Sequence, residues 1–232
     1  MMKTDAFDEA ASQGLDDLLA AHATNVVYID LSFRMLRSAS RAHGSISAVC
    51  CDVRQLPFAS GSIAAIVSNS TLDHFPSVQP IITSLGELSR VLCSEGRLLL
   101  TMDNPVNPLI RLRQWLPQRL LRRVGLVPYF VGATLGPAQL RRCLVEAGFQ
   151  VRHIGAILHC PRVFAVFCSR VLQRWASPRT RSRFLSVLLG FERLKRWPTK
   201  YLSGYYVSVS AVRSPHVCRS NPSRASDTAR SS

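Results

Sequence analysis

Long apolar runs are missing from this sequence. Arg or Pro interrupts every apolar stretch within about ten residues, which is too short to span a bilayer. The N-terminus also lacks the charged start, apolar centre and small-residue cleavage site of a secretory signal. These absences predict a cytoplasmic protein.

Cysteines at metal-binding or redox spacing are missing as well. The seven cysteines contain no C-x-x-C pair, and their odd number does not suit a disulfide framework. No cluster of His, Asp and Glu has the spacing of a metal site. We therefore expect reduced thiols and no bound metal ion.

Acidic residues are scarce in the second half of the chain. Residues 105–232 contain 22 Lys and Arg but 3 Asp and Glu, whereas residues 1–104 contain 7 basic and 11 acidic residues. A basic lobe beside an acidic one favours a surface for phosphate, anionic lipid or nucleic acid. The alternative is a solvated face without a ligand, because 26 of the 29 basic residues are Arg and can reflect codon bias.

The residues that are present alternate between short apolar strands and amphipathic helices. Apolar residues make up 47% of 232 residues, which is enough for one substantial core. Apolar runs predict strands at 25–30, 47–51, 63–68, 97–102, 149–158 and 205–212. Helical periods separate several of these runs. This order predicts an α/β fold with a mostly parallel sheet that is covered on both faces.

After Asn104 the sequence becomes basic and rich in Leu, and this change in composition predicts how the chain divides into segments. We expect an α/β core at 1–158, with a basic segment at 105–133, and then a helical basic insertion or lid at 159–200. The final strand of the core is expected at 201–213. Residues 214–232, rich in Ser and Arg, are expected to form a disordered tail.

Polar residues end three of the predicted strands. Asp30 ends the first of them, Asp52 follows the second and Asn69 follows the third. In doubly wound sheets, ligands bind outside the carboxyl ends of the strands, where such side chains meet. Each residue alone is a weak signal because Asp often caps a following helix. The three in order at this spacing predict a ligand site.

The same segments resemble a known family. Val-Tyr-Ile-Asp30, Cys-Asp52-Val, Ile-Val-Ser-Asn69, Leu72-Asp-His74 and Ser-Glu-Gly96 are similar to successive motifs of the class I S-adenosylmethionine-dependent methyltransferases. The subgroup is the one typified by small-molecule, quinone and lipid methyltransferases. The resemblance implies a Rossmann-like doubly wound sheet with an antiparallel final strand. It also implies S-adenosylmethionine as the cofactor and a small or lipid-like molecule as the methyl acceptor.

The resemblance also implies roles for particular residues. Asp30 would bind the ribose hydroxyls of the cofactor, and Asp52 would accept from the adenine amine. Met35 and Val53 would flank the adenine ring, although both could equally be core residues.

At the reacting end, Asn69 and Leu72 would line the methionine side of the cofactor. His74 would face the reacting centre, although a surface or helix-capping role suits it at least as well. A base is needed only for an acceptor that must lose a proton. The candidate bases are His74, His159, Tyr129 and Asp103.

The glycine-rich loop of this family is the largest departure. Counted back from Asp30, the loop is expected near residues 10–14, where only Gly14 matches in a plausible register. Met1 to Glu9 is too short and polar for a buried central strand, so the first strand is expected to be absent or degenerate. Either the N-terminus is truncated or mis-started, or the cofactor site has decayed.

Three functions stay open from the sequence. The first is a methyltransferase for a small or lipid-like acceptor, with basic helices that contact an anionic membrane. The second is a catalytically inactive methyltransferase-like interaction protein, which the lost glycine loop favours. The third, a nucleic-acid binder, ranks last because no recognised module and no interleaved aromatic residues occur.

Overall fold

A single mixed sheet forms the centre of the molecule. The computed structural model describes residues 1–11, 14–44, 46–115, 132–160, 165, 168–169, 171–172 and 175–215. Within these residues, seven strands pair in the order β3-β2-β1-β4-β5-β7-β6. All neighbours are parallel except β7, which runs antiparallel to β5 and β6. This order confirms the predicted α/β class with an antiparallel final strand.

The strands lie close to their predicted positions. They are β1 (Met2–Lys3), β2 (Val27–Asp30), β3 (Ser47–Cys50), β4 (Ile63–Asn69), β5 (Leu92–Asp103), β6 (Phe149–Ile157) and β7 (Tyr206–Arg213). A register shift between Ile63 and Ala65 allows β5 to begin earlier than the apolar pattern predicts. The period of two in β7 is visible in its burial, which alternates along the whole strand.

The helices connect these strands in the manner of a doubly wound fold. They are α1 (Phe7–Ala11), α2 (Asp16–Ala20), α3 (Phe33–His43), α4 (Val78–Val91), α5 (Pro108–Trp115), α6 (Pro137–Glu146), α7 (Pro178–Gly190) and α8 (Lys200–Ser203). Two 3₁₀ helices, Leu72–His74 and Phe191–Arg196, lie before α4 and after α7. Of the predicted basic insertion at 159–200, residues 161–164, 166–167, 170 and 173–174 lie outside the described part, as do residues 216–232 of the predicted tail.

Two apolar clusters cover the opposite faces of the sheet. The larger cluster joins α4 and α6 to the sheet through residues such as Leu85, Leu140 and Leu98. The smaller one joins α2 and α3 to Tyr28 on β2. Continuous apolar strands predicted this two-sided burial, because a strand between two helical layers has no solvent face.

The first strand is present, although it is degenerate at two residues. Met2 and Lys3 pair in parallel with Val27 and Tyr28 of β2 and also with β4, and both are fully buried. The expectation that Met1 to Glu9 is too polar for this place is wrong. Lys3 can be buried because its ammonium lies 2.8 Å from the buried carboxylate of Glu9.

Candidate active site

A cavity of about 460 Å³ lies at the carboxyl edge of the sheet. β3, β2, β1 and β4 are parallel neighbours, so the residues that follow them meet at this edge. The structure brings six of the predicted site residues to its wall: Asp30, Met35, Asp52, Val53, Asn69 and His74. Residues distant in the sequence therefore form one candidate site.

Asp30 ends β2, and its carboxylate connects two turns. Oδ1 accepts a hydrogen bond from the Ser32 N–H at 2.7 Å, and Oδ2 accepts one from the Ala6 N–H at 3.1 Å. A carboxylate has about four acceptor positions. Each oxygen of Asp30 can therefore accept a further hydrogen bond from a ligand hydroxyl in the cavity.

Asp52 lies just after β3 and is held by Arg54. The Arg54 Nε donates to both carboxylate oxygens at 3.0 Å, and Nη2 donates to Oδ2 at 2.6 Å. These hydrogen bonds hold the pKa of Asp52 below its ordinary value. The Arg54 guanidinium also lies 5.4 Å from the centre of the Phe75 ring. Asp52 is consequently an ionised acceptor at neutral pH, beside an aromatic wall.

Met35 and Val53 supply apolar surface to the same cavity. Val53 is buried and belongs to the large apolar cluster. Met35 lies in the first turn of α3. The Ser32 hydroxyl caps this helix by accepting a hydrogen bond from the Met35 N–H at 3.4 Å. Contact of these two side chains with an adenine ring remains a prediction.

Asn69 ends β4 and links it to its surroundings. Its Nδ2 donates to Asp8 Oδ2 at 3.0 Å, and its Oδ1 accepts from the Thr101 hydroxyl at 2.6 Å. Thr101 lies on β5, whereas Asp8 lies in α1. Asn69 thus fixes the position of Asp8 at the cavity wall.

His74 reaches the cavity through a turn that Asp73 stabilises. Asp73 is buried, and its Oδ2 accepts from the Ser70 hydroxyl at 2.7 Å and from the Asp103 N–H at 2.9 Å. Its Oδ1 has no hydrogen-bond partner within the described residues. The exposed imidazole of His74 follows directly, so this anchored turn determines where it lies.

The other candidate bases lie elsewhere. His159 is buried, with its ring nitrogens 2.8 Å from Ser203 Oγ and 3.1 Å from the Ala156 carbonyl. Asp103 is buried at the end of β5. Tyr129 lies outside the described residues. In the described part of the chain, His74 is the candidate base that lines the cavity.

Two predicted cofactor residues do not reach the cavity wall. Gly14 lies in the turn between α1 and α2 with φ of +56°, and a Cβ there would be 2.6 Å from Glu9 Oε1. Glycine is needed there because the buried carboxylate occupies the space of a side chain. Leu72 is fully buried in the large apolar cluster. The structure thus assigns Gly14 to a turn and Leu72 to the core.

The turn after β1 is the part of the site that the sequence analysis missed. It lies at residues 4–6 instead of 10–14, because β1 itself is so close to the N-terminus. Its Ala6 N–H donates to Asp30, and the Phe7 N–H donates to Asp5 Oδ1 at 3.2 Å. Two backbone donors that could face an anion are therefore occupied by carboxylates. In the sequence, the polar pair Thr4-Asp5 directly after Lys3 was the feature that could have indicated this turn.

The wall of the cavity is consequently acidic. Four carboxylates line it, from the turn after β1, from α1, from the end of β2 and from the turn after β3: Asp5, Asp8, Asp30 and Asp52. The Arg54 guanidinium also lines the cavity, but it is paired with one of them. A positively charged group of a ligand is favoured here over a negative one.

Asp5 gives this wall a pH dependence. Burial raises the pKa of Asp5 above its ordinary value of 3.8, and the charges of Asp8 and Glu9 act in the same direction, against Lys3. As pH rises from about 3.8, the unfolded chain loses this proton before the folded chain does. The free energy of unfolding therefore falls with rising pH until it passes the folded pKa of Asp5.

We expect Asp5→Asn to remove this contribution. Between pH 4 and pH 7, the free energy of unfolding in urea should change less steeply with pH in the variant than in the parent chain. A fall in the parent over this range that is absent in Asp5→Asn would show that folding raises the pKa of Asp5. Identical slopes would show that Asp5 titrates normally.

Cys51 lines the cavity but does not provide a nucleophile. Burial raises the pKa of its thiol, and the neighbouring Cys50 and Asp52 add to this effect. A thiol rather than a thiolate is present at neutral pH, and the thiol is the unreactive form. The other ionisable side chains of the cavity wall include its carboxylates, Arg54 and His74.

The strand order and the site define a class of protein. Residues 11–100 match the family model described as a methyltransferase domain. The match covers β2 to most of β5, which carry Asp30, Asp52, Asn69 and His74. Together with the fold, this match supports the resemblance to the class I S-adenosylmethionine-dependent methyltransferases. The resemblance seen in the sequence is thereby confirmed, and S-adenosylmethionine is the cofactor of this class.

Solved structures share the fold over most of the chain. An S-adenosylmethionine-dependent methyltransferase from Mesorhizobium loti is 16% identical, covers 91% of this chain and 89% of its own, and has a TM-score of 0.57. One from Archaeoglobus fulgidus is 12% identical, with 91% and 85% covered and a TM-score of 0.58.

A third similar structure contains ligands. Geranyl diphosphate C-methyltransferase from Streptomyces coelicolor is 14% identical, with 91% and 72% of the chains covered and a TM-score of 0.55. That protein was solved with Mg²⁺, geranyl diphosphate and S-adenosylhomocysteine. At such identities the likeness shows the fold alone. No curated protein matches the chain by sequence.

Two further observations concern only the residues that the structure describes. None of their helices is both long and apolar enough to cross a bilayer. They contain no group of three or more His, Cys, Asp or Glu side chains that could hold a metal ion.

Proposed function

We propose that this chain transfers a methyl group from S-adenosylmethionine to a small or lipid-like acceptor. The observation that carries the proposal is the convergence of Asp30, Asp52 and His74 on one cavity at the carboxyl edge of the sheet. Carboxylates there suit the hydroxyls and the amine of a nucleoside, which are hydrogen-bond donors. The acidic wall also suits a sulfonium and an ammonium group. The residues present therefore fit the cofactor.

Each residue has a defined part in this proposal. Asp30 accepts hydrogen bonds from the ribose hydroxyls, and Asp52 accepts from the exocyclic amine of adenine. Met35 and Val53 provide the apolar surfaces beside the ring. Asn69 keeps Asp8 at the opposite end of the wall, where the carboxylate faces the positive charge of the cofactor.

S-adenosylmethionine, when bound, supplies a methyl group that is already activated by its sulfonium. The remaining work is alignment of the acceptor, which proximity alone can accelerate greatly. For a hydroxyl or amine acceptor, the imidazole of His74 accepts the proton that the acceptor loses. Phe7 and Leu31, 56% and 72% exposed at the cavity, give the apolar surface that an apolar acceptor requires.

The proposal is tested by calorimetric titration of the full chain with S-adenosylmethionine and with S-adenosylhomocysteine. We expect both to bind, and S-adenosylmethionine to bind about fivefold more tightly at low salt, because it carries one more positive charge toward the acidic wall. The ratio should shrink in 0.5 M salt, which screens exposed charges. Equal affinities at low salt would remove the electrostatic part of the proposal.

A second candidate function is supported by the turn after β1. Because the Ala6 and Phe7 N–H groups donate to carboxylates of the chain itself, the close backbone approach of a glycine loop is absent from this turn. A methyltransferase-like interaction protein without catalysis accounts for that arrangement. Binding of neither ligand by a demonstrably folded chain would favour it over the enzyme.

The basic residues of 105–232 suggest two anionic partners, a membrane and nucleic acid. Contact with an anionic membrane suits a lipid-like acceptor. Nucleic acid remains the last-ranked partner, and a salt-dependent shift with arbitrary RNA would raise it.

A further inference from the structure

We propose that residues 178–202 form a surface that docks on an anionic lipid bilayer and holds the mouth of the cavity against it. This docking segment comprises α7, the 3₁₀ helix Phe191–Arg196 and most of α8. Docking depends only on the residues of this segment. Delivery of a lipid-like acceptor from the bilayer to the cavity rests additionally on the proposed function.

Large apolar side chains of the docking segment face solvent. Leu185, Val187 and Leu189 are 56%, 60% and 61% exposed, and Trp197 and Leu202 are 61% and 54% exposed. Neither α7 nor the 3₁₀ helix contains a buried residue. A lid that packs on the sheet with its arginines outward would bury these apolar side chains. Leu185 and Leu189 are four residues apart and share one side of α7, whereas Val187 lies nearly opposite. The exposure of the two leucines favours insertion of that side into an interface.

The charge of the segment points to an anionic partner. It carries seven basic residues and one acidic residue, Glu192. Three of the arginines, at 179, 181 and 183, lie in the first half of α7, where the helix dipole disfavours cations. Helix stability therefore does not explain them. Glu192 is used internally, because its Oε1 accepts a hydrogen bond from the His159 N–H at 3.0 Å.

The topology brings the segment to the edge of the sheet that bears the cavity. β6 ends and β7 begins at this carboxyl edge, so the chain between them both leaves and returns there. Tyr206, the first residue of β7, lines the cavity. Two asparagines after β5 hold the end of the docking segment at this edge. Asn104 Nδ2 donates to the Tyr201 and Gly204 carbonyls at 2.7 and 2.8 Å. Asn107 Nδ2 donates to the Ser203 carbonyl at 3.2 Å.

Combined apolar exposure and positive charge distinguish a bilayer from other anionic partners. Nucleic acid would use the arginines but would not cover five large apolar side chains. An anionic bilayer offers phosphate groups at its surface and acyl chains beneath them. Tryptophan suits the boundary between the two, and Trp175 and Trp197 are 85% and 61% exposed near the ends of the basic and apolar stretch.

Vesicle flotation with the full chain tests the docking. We expect at least tenfold more binding to phosphatidylcholine vesicles that contain 30% phosphatidylglycerol than to pure phosphatidylcholine vesicles. Arg179→Gln with Arg183→Gln should reduce binding to the anionic vesicles by about tenfold or more, since each basic residue near the surface contributes about 1 kcal/mol. Leu185→Ser with Leu189→Ser should keep the electrostatic part of the binding, which 0.5 M salt should then remove. When the chain binds anionic vesicles, its tryptophan emission should shift to the blue, because exposed tryptophans enter the interface. The shift should be smaller in Trp197→Phe.

The matched control is Arg37→Gln with Arg41→Gln, two exposed arginines beyond the first turn of α3, which lies beside β2 and β3 at the other edge of the sheet. It removes the same charge and should retain full binding. Equal, negligible binding to both vesicle types would overturn the proposal, as would equal losses in the two arginine pairs. Binding to RNA without binding to anionic vesicles would also overturn it. Circular dichroism of each variant confirms that it is folded.

Vesicle binding is measured without a cofactor, and cofactor binding is measured without vesicles. Failure of docking therefore leaves the methyltransferase proposal intact, and failure of cofactor binding leaves docking intact.

Discussion

Asp30→Ala is expected to lower the affinity for S-adenosylhomocysteine by about 100-fold or more. Two hydroxyl hydrogen bonds to a carboxylate would be lost, each of which contributes about 1.5–3 kcal/mol. Calorimetric titration measures the change directly. An affinity within about threefold of the parent chain would show that Asp30 does not bind the ribose.

The same substitution also disturbs the fold, so a milder variant is needed beside it. Without Asp30, the Ser32 and Ala6 N–H groups lose their acceptor. Each such loss costs about 1–3 kcal/mol when the group is buried. Asp30→Asn keeps one acceptor oxygen and should lose less stability than Asp30→Ala, yet it should still bind about tenfold more weakly. Asp17→Ala, at an exposed position of α2, is the charge-matched control and should bind as the parent does.

Lys3→Met is expected to produce the largest loss of stability. The Lys3 ammonium lies 2.8 Å from Glu9 Oε2, and both side chains are at most 1% exposed. Removing one partner leaves a buried carboxylate without its cation, which typically costs about 3–5 kcal/mol. Most domains have only about 5–15 kcal/mol in total. Urea unfolding at pH 7 measures the difference.

The double variant Lys3→Met with Glu9→Leu separates the ion pair from the packing. Because the unpaired charge is then absent, we expect it to be clearly more stable than Lys3→Met alone. Some loss should remain, since Glu9 Oε1 also accepts from the Leu15 N–H at 3.1 Å. If Lys3→Met costs under about 1 kcal/mol, the buried pair does not hold β1 in the sheet.

Local patterns were sufficient for most of the sheet. β2, β3 and β4 consist of apolar, β-branched residues bounded by polar ones, and each lies within two residues of its predicted range. The same local pattern predicted Asp30, Asp52 and Asn69 at one edge. Parallel strands necessarily place their carboxyl ends together, so the sequence order alone implied this convergence.

β1 could not be predicted because its stability comes from other parts of the chain. A two-residue strand has no period, and Lys3 contradicts the expected apolar character. Pairing with β2 and β4 on both sides stabilises this short strand, and the ion pair with Glu9 offsets the cost of burying Lys3. The displaced prediction of the glycine loop followed directly, since the loop was counted back from Asp30 instead of forward from β1.

By itself, the sequence determined the α/β class, the approximate positions of most strands and the carboxylates at two strand ends. These features follow from periodicity and spacing, which are local properties. Tertiary structure alone decided that Asp5 and Asp8 join the cavity wall, that Leu72 and Gly14 do not, and that Leu185 and Leu189 of α7 stay exposed. Those outcomes depend on which side chains compete for the same buried space, and no local pattern records that competition.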